Sequence, residues 1–462
     1  MSPPRFAVVG HPNKGKSSLV ATLAEDESVR IAPESGTTTR AVTYPMRVRG
    51  ETLYELIDTP GFQRARRALG LIEQRAATAA ARREAVRAFV AEHRADPMFR
   101  AECELLAPVV EGAGIIYVVD GAVPYGPEYE PEMEILRWSG QPSLAVINPI
   151  GTRDHVREWR DALGQYFRVV REMDVLAAPV EQRLDLLRAF GELDPAWRPA
   201  LERAVEALRA ERHRLRVRAA RVIAEMLVEA LTLAPERRLR ADDDPQAARA
   251  ELEHAYADSL RGLETAARAR VERLYHHEAL ARDEAVLESI EADLLAARTW
   301  QLFGLDRLTL AGVGAGGGAA AGLGVDAALG GLSGFLGAAI GGVAGGAAAW
   351  LAADRLARFE TRDLPFGEQV LAVRAGASRN LPFVLLGRAR VHHALVARRS
   401  HARRDPLVVE GTSAGLPGDA RQRLARLFER AADAGDDGAE AVVESLAEAI
   451  APLLESEPEP AA

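Results

Sequence analysis

Nine residues near the N-terminus constrain the fold more than any other part of the chain: Gly10-His11-Pro12-Asn13-Lys14-Gly15-Lys16-Ser17-Ser18. They satisfy G-x-x-x-x-G-K-[ST], a glycine-rich loop whose backbone N–H groups cradle phosphates. The flanks match what such a loop needs. Arg5-Phe6-Ala7-Val8-Val9 reads as a short buried strand, and Ser17 to Leu23 as the start of a helix. Strand, loop and helix N-terminus together aim successive N–H groups and the helix dipole at one anion. Lysine usage sharpens the point. Of 58 lysines and arginines, the only two lysines are Lys14 and Lys16. A compact ammonium fits a tight backbone cradle where the planar guanidinium of arginine does not. Lys16 is therefore expected on the β- and γ-phosphates and the Ser17 hydroxyl on Mg²⁺. Gly10, Asn13, Lys14, Gly15 and Ser18 complete the nucleotide-binding loop.

Leu53-Tyr54-Glu55-Leu56-Ile57-Asp58-Thr59-Pro60-Gly61 is an apolar strand ending in D-x-x-G. An acid at the end of a second strand holds Mg²⁺ in P-loop proteins, which assigns Asp58 to the metal. Gly61, lacking a Cβ, lets its N–H approach a γ-phosphate. Between the two motifs lies Ser35-Gly36-Thr37-Thr38-Thr39-Arg40, where a switch threonine closes over Mg²⁺. Spacing from the P-loop favours Thr38, and spacing to Arg40 and Asp58 favours Thr39. Lys16, Thr38, Thr39 and Gly61 are the candidate catalytic set around the γ-phosphate.

Together, G-x-P-N-x-G-K-S-S-L, G-T-T-(T)-R and D-T-P-G resemble the Era/TrmE/EngA branch of GTPases over residues 5–62. The resemblance implies a GTP/GDP ligand and Mg²⁺. It also implies a potassium ion bound through Asn13, one of three asparagines with Asn148 and Asn380. Phe62 stands where a Ras-like enzyme has its water-orienting glutamine, so slow intrinsic hydrolysis is expected. Base recognition is the departure from the pattern. The strand Pro142–Ile147 is followed by Asn148, but Pro149-Ile150-Gly151 supplies neither the lysine nor the aspartate of N-K-x-D. Asp154 is the nearest carboxylate that could fold back, and Asp174-Val175-Leu176-Ala177-Ala178 is a faded version of the following S-A-K loop.

The 462 residues are enough for two or three domains. A net charge of −9 gives no general case for nucleic-acid binding, and no nucleic-acid partner is expected. The single cysteine, Cys103, excludes a disulfide framework and fits a reducing cytosol. The expected fold class is an α/β P-loop G domain over residues 1–190, interrupted by a helical hairpin at about 63–110, and followed by an all-α C-terminal region. That region divides into a helical domain (191–306), a Gly/Ala-rich hydrophobic hairpin (307–354) and a helical segment with an acidic tail (355–462). From Leu308 to Ala353 the only charge is Asp326, and fifteen residues are glycine. Small-xxx-small spacing of this kind packs helices closely in lipid. The segment reads as a membrane hairpin, as a Gly/Ala helix pair buried in a soluble helical domain or an interface between copies of the chain, or as a linker. The first reading places the protein in the cytoplasm at the inner face of the plasma membrane. Arg388, Arg390, His392, His393, Arg398, Arg399, His401, Arg403 and Arg404 form a basic cluster read as a surface face, available to anionic headgroups. The arginines between Arg209 and Arg221 read as a solvated face paired with glutamates. The overall order resembles a bacterial family with an Era-like GTPase domain ahead of a helical domain of unknown function.

Overall fold

The computed structural model describes residues 3–24, 38–240, 243–277, 357–363, 369–375, 381–398, 416 and 418–455. The Gly/Ala-rich stretch 307–354 lies outside them, and so do Arg399, His401, Arg403, Arg404 and the acidic tail. Among the described residues no helix is long and apolar enough to cross a membrane.

The chain divides into two compact units, one carried by Met1–Arg212 and the other within His213–Ala397 and Asp405–Ala462. The first unit is built on a six-stranded sheet of order β2-β3-β1-β4-β5-β6. Its strands are β1 (Arg5–Val9), β2 (Val42–Val48), β3 (Glu51–Asp58), β4 (Gly114–Asp120), β5 (Ser143–Asn148) and β6 (Val169–Glu172). Edge strand β2 is antiparallel to β3, and the other pairs are parallel. Parallel strands are covered on both faces and read as continuous apolar runs; all seven residues of β4 are buried. Alternation sorts the side chains. Ala7, Val9, Ile115, Tyr117 and Val119 enter one core. Phe6, Val8, Ile116 and Val118 enter the other.

The first core is covered by α2 (Ala65–Glu73), α3 (Arg82–His93), α4 (Arg100–Val110), α5 (Glu130–Ser139) and α6 (Val156–Leu163). The second is covered by α1 (Lys16–Ala24), α7 (Val180–Leu193) and the first half of α8 (Arg198–Thr232). The compact unit therefore continues past residue 190, because Phe190, Leu201, Ala204, Val205 and Leu208 pack with Phe6 beneath the sheet. The segment at 63–110 is not a two-helix hairpin. It holds α2, a 3₁₀ turn at Ala79–Ala81, α3 and α4. The break between α3 and α4 falls at Asp96-Pro97, where the Asp96 carboxylate accepts the Met98 N–H at 2.8 Å.

The second unit corrects the all-α expectation. Three short strands, β7 (Glu236–Leu239), β8 (Ala357–Asp363) and β9 (Gln369–Ala375), form an antiparallel sheet of order β7-β9-β8. Among the described residues the helices of this unit are the second half of α8, α9 (Pro245–Leu274), α10 (Leu381–Arg398), α11 (Gly418–Ala432) and α12 (Asp436–Ile450). They share one apolar core that includes Ile223, Leu227, Tyr256, Leu260, Leu385, Phe428 and Leu446.

The basic cluster is corrected as well. Arg388, Arg390, His392 and His393 are buried, not a surface face. Arg388 grips Glu264 of α9 through Nε at 2.6 Å and Nη2 at 3.1 Å. Arg268 also reaches Glu264 at 2.5 Å. His392 meets Glu272 at 3.1 Å, and burial pulls its imidazole below the ordinary histidine pKa. The His393 ring nitrogen lies 2.8 Å from the Tyr275 hydroxyl. Buried charge is tolerable when paired and hydrogen-bonded; α9 supplies the partners of Arg388 and His392, and Arg390 donates to the Leu453 carbonyl at 3.2 Å. Three arginines of α8 are paired as expected: Arg209 with Glu181, Arg216 with Glu455, and Arg221 with Glu225 and Glu440.

Candidate functional site

The P-loop leaves β1 at Gly10 and turns into α1 at the C-terminal edge of the sheet, where open α/β sheets bind ligands. Asn13 adopts a left-handed φ of 60°, which asparagine tolerates better than most residues. Lys16 opens α1 and is buried, and its ammonium donates to the His11 carbonyl at 2.8 Å. Burial lowers its pKa to about 8, against the pull of Asp58 and Glu132.

Three side chains meet at the mouth of α1. Ser17 Oγ donates to Asp58 Oδ2 at 2.8 Å, and Thr38 Oγ1 donates to the same oxygen at 3.0 Å. The two hydroxyl oxygens lie 3.4 Å apart. Thr38 is thus the threonine at this corner; Thr39 is exposed. Asp58 is held there because its neighbour Thr59 is buried and donates to the Val8 carbonyl of β1 at 2.6 Å. The carboxyl pKa is raised, first by burial, with the Ser17 and Thr38 hydrogen bonds pulling it back. Its second oxygen, Oδ1, is buried without a hydrogen-bond partner. An orphaned buried acceptor costs about 1–3 kcal/mol. Two hydroxyls and a carboxylate are hard oxygen donors of the kind Mg²⁺ takes.

Gly61 is required by close approach. A Cβ there would lie 2.5 Å from the Pro12 nitrogen, and the next N–H, of Phe62, donates to the Gly10 carbonyl at 3.2 Å. The Phe62 ring is buried, so it orients no water.

Several carboxylates at this site carry no local motif. Glu132 of α5 is 1% exposed and lies 2.8 Å from His11 Nδ1, while its other oxygen accepts from the Tyr117 hydroxyl at 2.9 Å. Burial raises its pKa. A carboxylate among the buried positions of α5, beside Met133, Ile135 and Leu136, was the available signal. Glu102 of α4 accepts the backbone N–H groups of Gln63, at 2.8 Å, and Arg64, at the start of α2. Two residues on, Glu104 accepts the Ala41 N–H at 3.1 Å. One inserted helix therefore holds both segments that flank the corner of Ser17, Thr38 and Asp58.

At the other end of the P-loop, Asn148 Nδ2 reaches the Lys14 carbonyl at 3.4 Å and Oδ1 accepts the Val175 N–H at 3.2 Å. It ties the P-loop to the loop at 174–178. Asp154 does not fill the missing aspartate position; it is exposed in the turn before α6. The carboxylate at this corner is Asp120, at the end of β4 and in register with Asn148. Ser18 is half-buried on α1.

A mostly parallel sheet, a P-loop at its carboxyl edge and a Ser–Thr–Asp corner facing the loop define a P-loop domain of the GTPase type. The comparisons agree. Residues 5–148 match the family model described as 50S ribosome-binding GTPase. GTPase Der of Mycoplasma pneumoniae is 50% identical over 60 residues, 13% of this chain and 13% of that protein. GTPase Der of Thermoanaerobacter sp. (strain X514) is 28% identical over 168 residues, covering 36% of this chain and 32% of the relative. The chain thus matches well under two thirds of either relative's length. Aquifex aeolicus Era bound to GDP.AlF4- aligns at 16% identity over 60% of this chain and 90% of that one, with a TM-score of 0.29. The model described as Domain of unknown function (DUF3482) matches residues 160–449. The chain belongs to that family.

Proposed function

We propose that the protein is a Mg²⁺-dependent switch that binds and hydrolyses GTP and passes its nucleotide state to the C-terminal unit. The observation that carries this reading is the convergence of Ser17, Thr38 and Asp58 on one point, with Asp58 Oδ1 left unpaired. Ser17, Thr38 and Asp58 would hold Mg²⁺, which neutralises charge on the β- and γ-phosphate oxygens when bound. Lys16 binds the same phosphates once its ammonium leaves the His11 carbonyl. Mg²⁺ and the γ-phosphate would tighten Thr38 onto this corner, and loss of the phosphate would loosen it. The α4 carboxylates follow that change, because Glu102 holds Gln63 and Arg64 while Glu104 holds Ala41. With Phe62 buried, no glutamine at that position orients water, so hydrolysis is slow without help. Potassium at Asn13 is one source of that help.

The test is GTP hydrolysis by the full chain with Mg²⁺ or EDTA, in K⁺ or Na⁺. Wild type turns over only with Mg²⁺ and faster in K⁺, and Lys16→Ala is inactive. Turnover in EDTA, or by Lys16→Ala, contradicts the reading; equal rates in K⁺ and Na⁺ remove potassium alone. Association with anionic membrane, and pairing of copies through the Gly-rich stretch, complete the proposal. Carbonate-resistant membrane pelleting supports the first, and full extraction rejects it. The words "50S ribosome-binding" in the matching model favour a ribosomal partner as the second reading, and co-sedimentation with ribosomes decides for it.

A further inference from the structure

The N-K-x-D motif loses its lysine and aspartate to Pro149 and Gly151, yet a lysine and an aspartate stand at that corner. Lys14 Nζ lies 3.8 Å from Asp120 Oδ2, and the two side chains are 12% and 10% exposed. Asp120 Oδ1 accepts the Ala122 N–H at 2.9 Å and the Ile150 N–H at 3.4 Å. The same carboxylate therefore fixes the loop after Asn148 and the ammonium of Lys14. The corner is close-packed: Gly15 has φ +86°, and a Cβ there would lie 2.3 Å from Asn148 Nδ2. Lys14 and Lys16 flank that glycine, one on Asp120 and the other at the phosphate end. A chain that uses arginine almost everywhere else has kept its two lysines at the two ends of this loop.

We propose that Lys14, pinned by Asp120, is the base-platform lysine of this site, supplied from the P-loop instead of from the Asn148 loop, and that the site discriminates weakly between guanine and adenine. A lysine stem offers apolar surface to a base while its ammonium stays paired. Asp120 is already committed to two backbone N–H groups and Lys14. Ile150, 46% exposed, and Gly151 add no carboxylate for the N1–H and 2-amino group of guanine. A site built to hydrogen-bond its ligand rejects the wrong one by about 10⁴–10⁵-fold, whereas apolar shape alone gives about 10–200-fold. Lys14 is a positioning residue under this reading, and the inference rests on the phosphate-site reading above.

The experiment measures dissociation constants of fluorescent GDP and ADP for the full chain with Mg²⁺. Variants are Lys14→Met, Asp120→Asn and the double mutant, each also melted without nucleotide. Wild type is expected to bind both nucleotides with constants within about 100-fold. Either single variant weakens both by about tenfold at an unchanged ratio, the double mutant is no worse than the singles, and the nucleotide-free melting temperature of Lys14→Met holds. Discrimination beyond about 10⁴-fold in wild type, or wild-type affinities in both Lys14→Met and Asp120→Asn, overturns the inference while leaving the phosphate site standing. Wild type that binds neither nucleotide removes the phosphate-site reading and this inference together.

Discussion

Each unit of the molecule buries a charged network, and the two are finished to different degrees. In the C-terminal unit Glu264 is gripped by two nitrogens of Arg388 and by Arg268. Near the P-loop, Lys16 is held by a carbonyl of its own loop, Asp58 keeps a bare oxygen, and Glu132 is buried against His11 and Tyr117. Burial depresses the lysine and raises the two acids. Burial also lowers the pKa of Arg268 and His392, so perturbation is common to both networks; what differs is the acid, with both oxygens of Glu264 hydrogen-bonded and one oxygen of Asp58 bare. The difference separates a corner prepared for a ligand from a joint that holds helices together.

That difference can be broken at either end. The largest effect is expected at the joint. Glu264→Ala leaves Arg388 buried and uncompensated, a loss of about 3–5 kcal/mol. Denaturant unfolding of the full chain should show it, and a loss under about 1 kcal/mol would mean the pair is not closed. At the corner, Lys16→Ala should weaken nucleotide binding by about 2–5 kcal/mol, with nucleotide-free melting no lower than wild type because a desolvated charge is removed. Glu102→Gln comes next. It replaces a charged acceptor of the Gln63 and Arg64 N–H groups by a neutral one, and should cost about 1 kcal/mol in nucleotide-free stability while uncoupling protection of residues 62–66 from bound nucleotide. Hydrogen exchange with GDP and with a non-hydrolysable triphosphate reads it.

The corner also carries a pH dependence. Phosphate binding needs the ammonium, and nucleotide-free Lys16 loses its proton near pH 8. Affinity should be flat below pH 8 and fall by about tenfold per pH unit above it, as binding takes up one proton. Lys16→Arg should remove the slope whatever it does to affinity.

What the sequence made legible followed distance along the chain. The P-loop, the strand before it and Asp58 at the end of β3 are local patterns, each set by a few contiguous residues. Choosing Thr38 over Thr39 took the fold, since spacing counted from opposite ends gave different answers. Glu102 and Glu104 were silent because their partners are 38 to 63 residues away, and Glu132 showed only its buried place on α5 because His11 is 121 residues away. The arginines and histidines of α10 read as surface for the same reason: Glu264 and Glu272, which meet Arg388 and His392, lie on α9, and Arg390 and His393 find Leu453 and Tyr275. Strands β7 and β8 were hidden by composition. E-R-R-L and A-R-F-E-T-R-D carry more charge than apolar side chains, and only pairing with Q-V-L-A-V-R-A identifies them.

The central claim is that Ser17, Thr38 and Asp58 form the Mg²⁺ end of a nucleotide site. Titrating Mg²⁺ into the full chain with saturating GTP, and following its melting temperature, tests it most directly. Ligand binding to the folded state must raise that temperature. The account predicts a Mg²⁺-dependent rise in wild type, absent in Asp58→Ala and in Lys16→Ala, with GTP alone giving less. An equal rise in Asp58→Ala, or none in wild type, would contradict it.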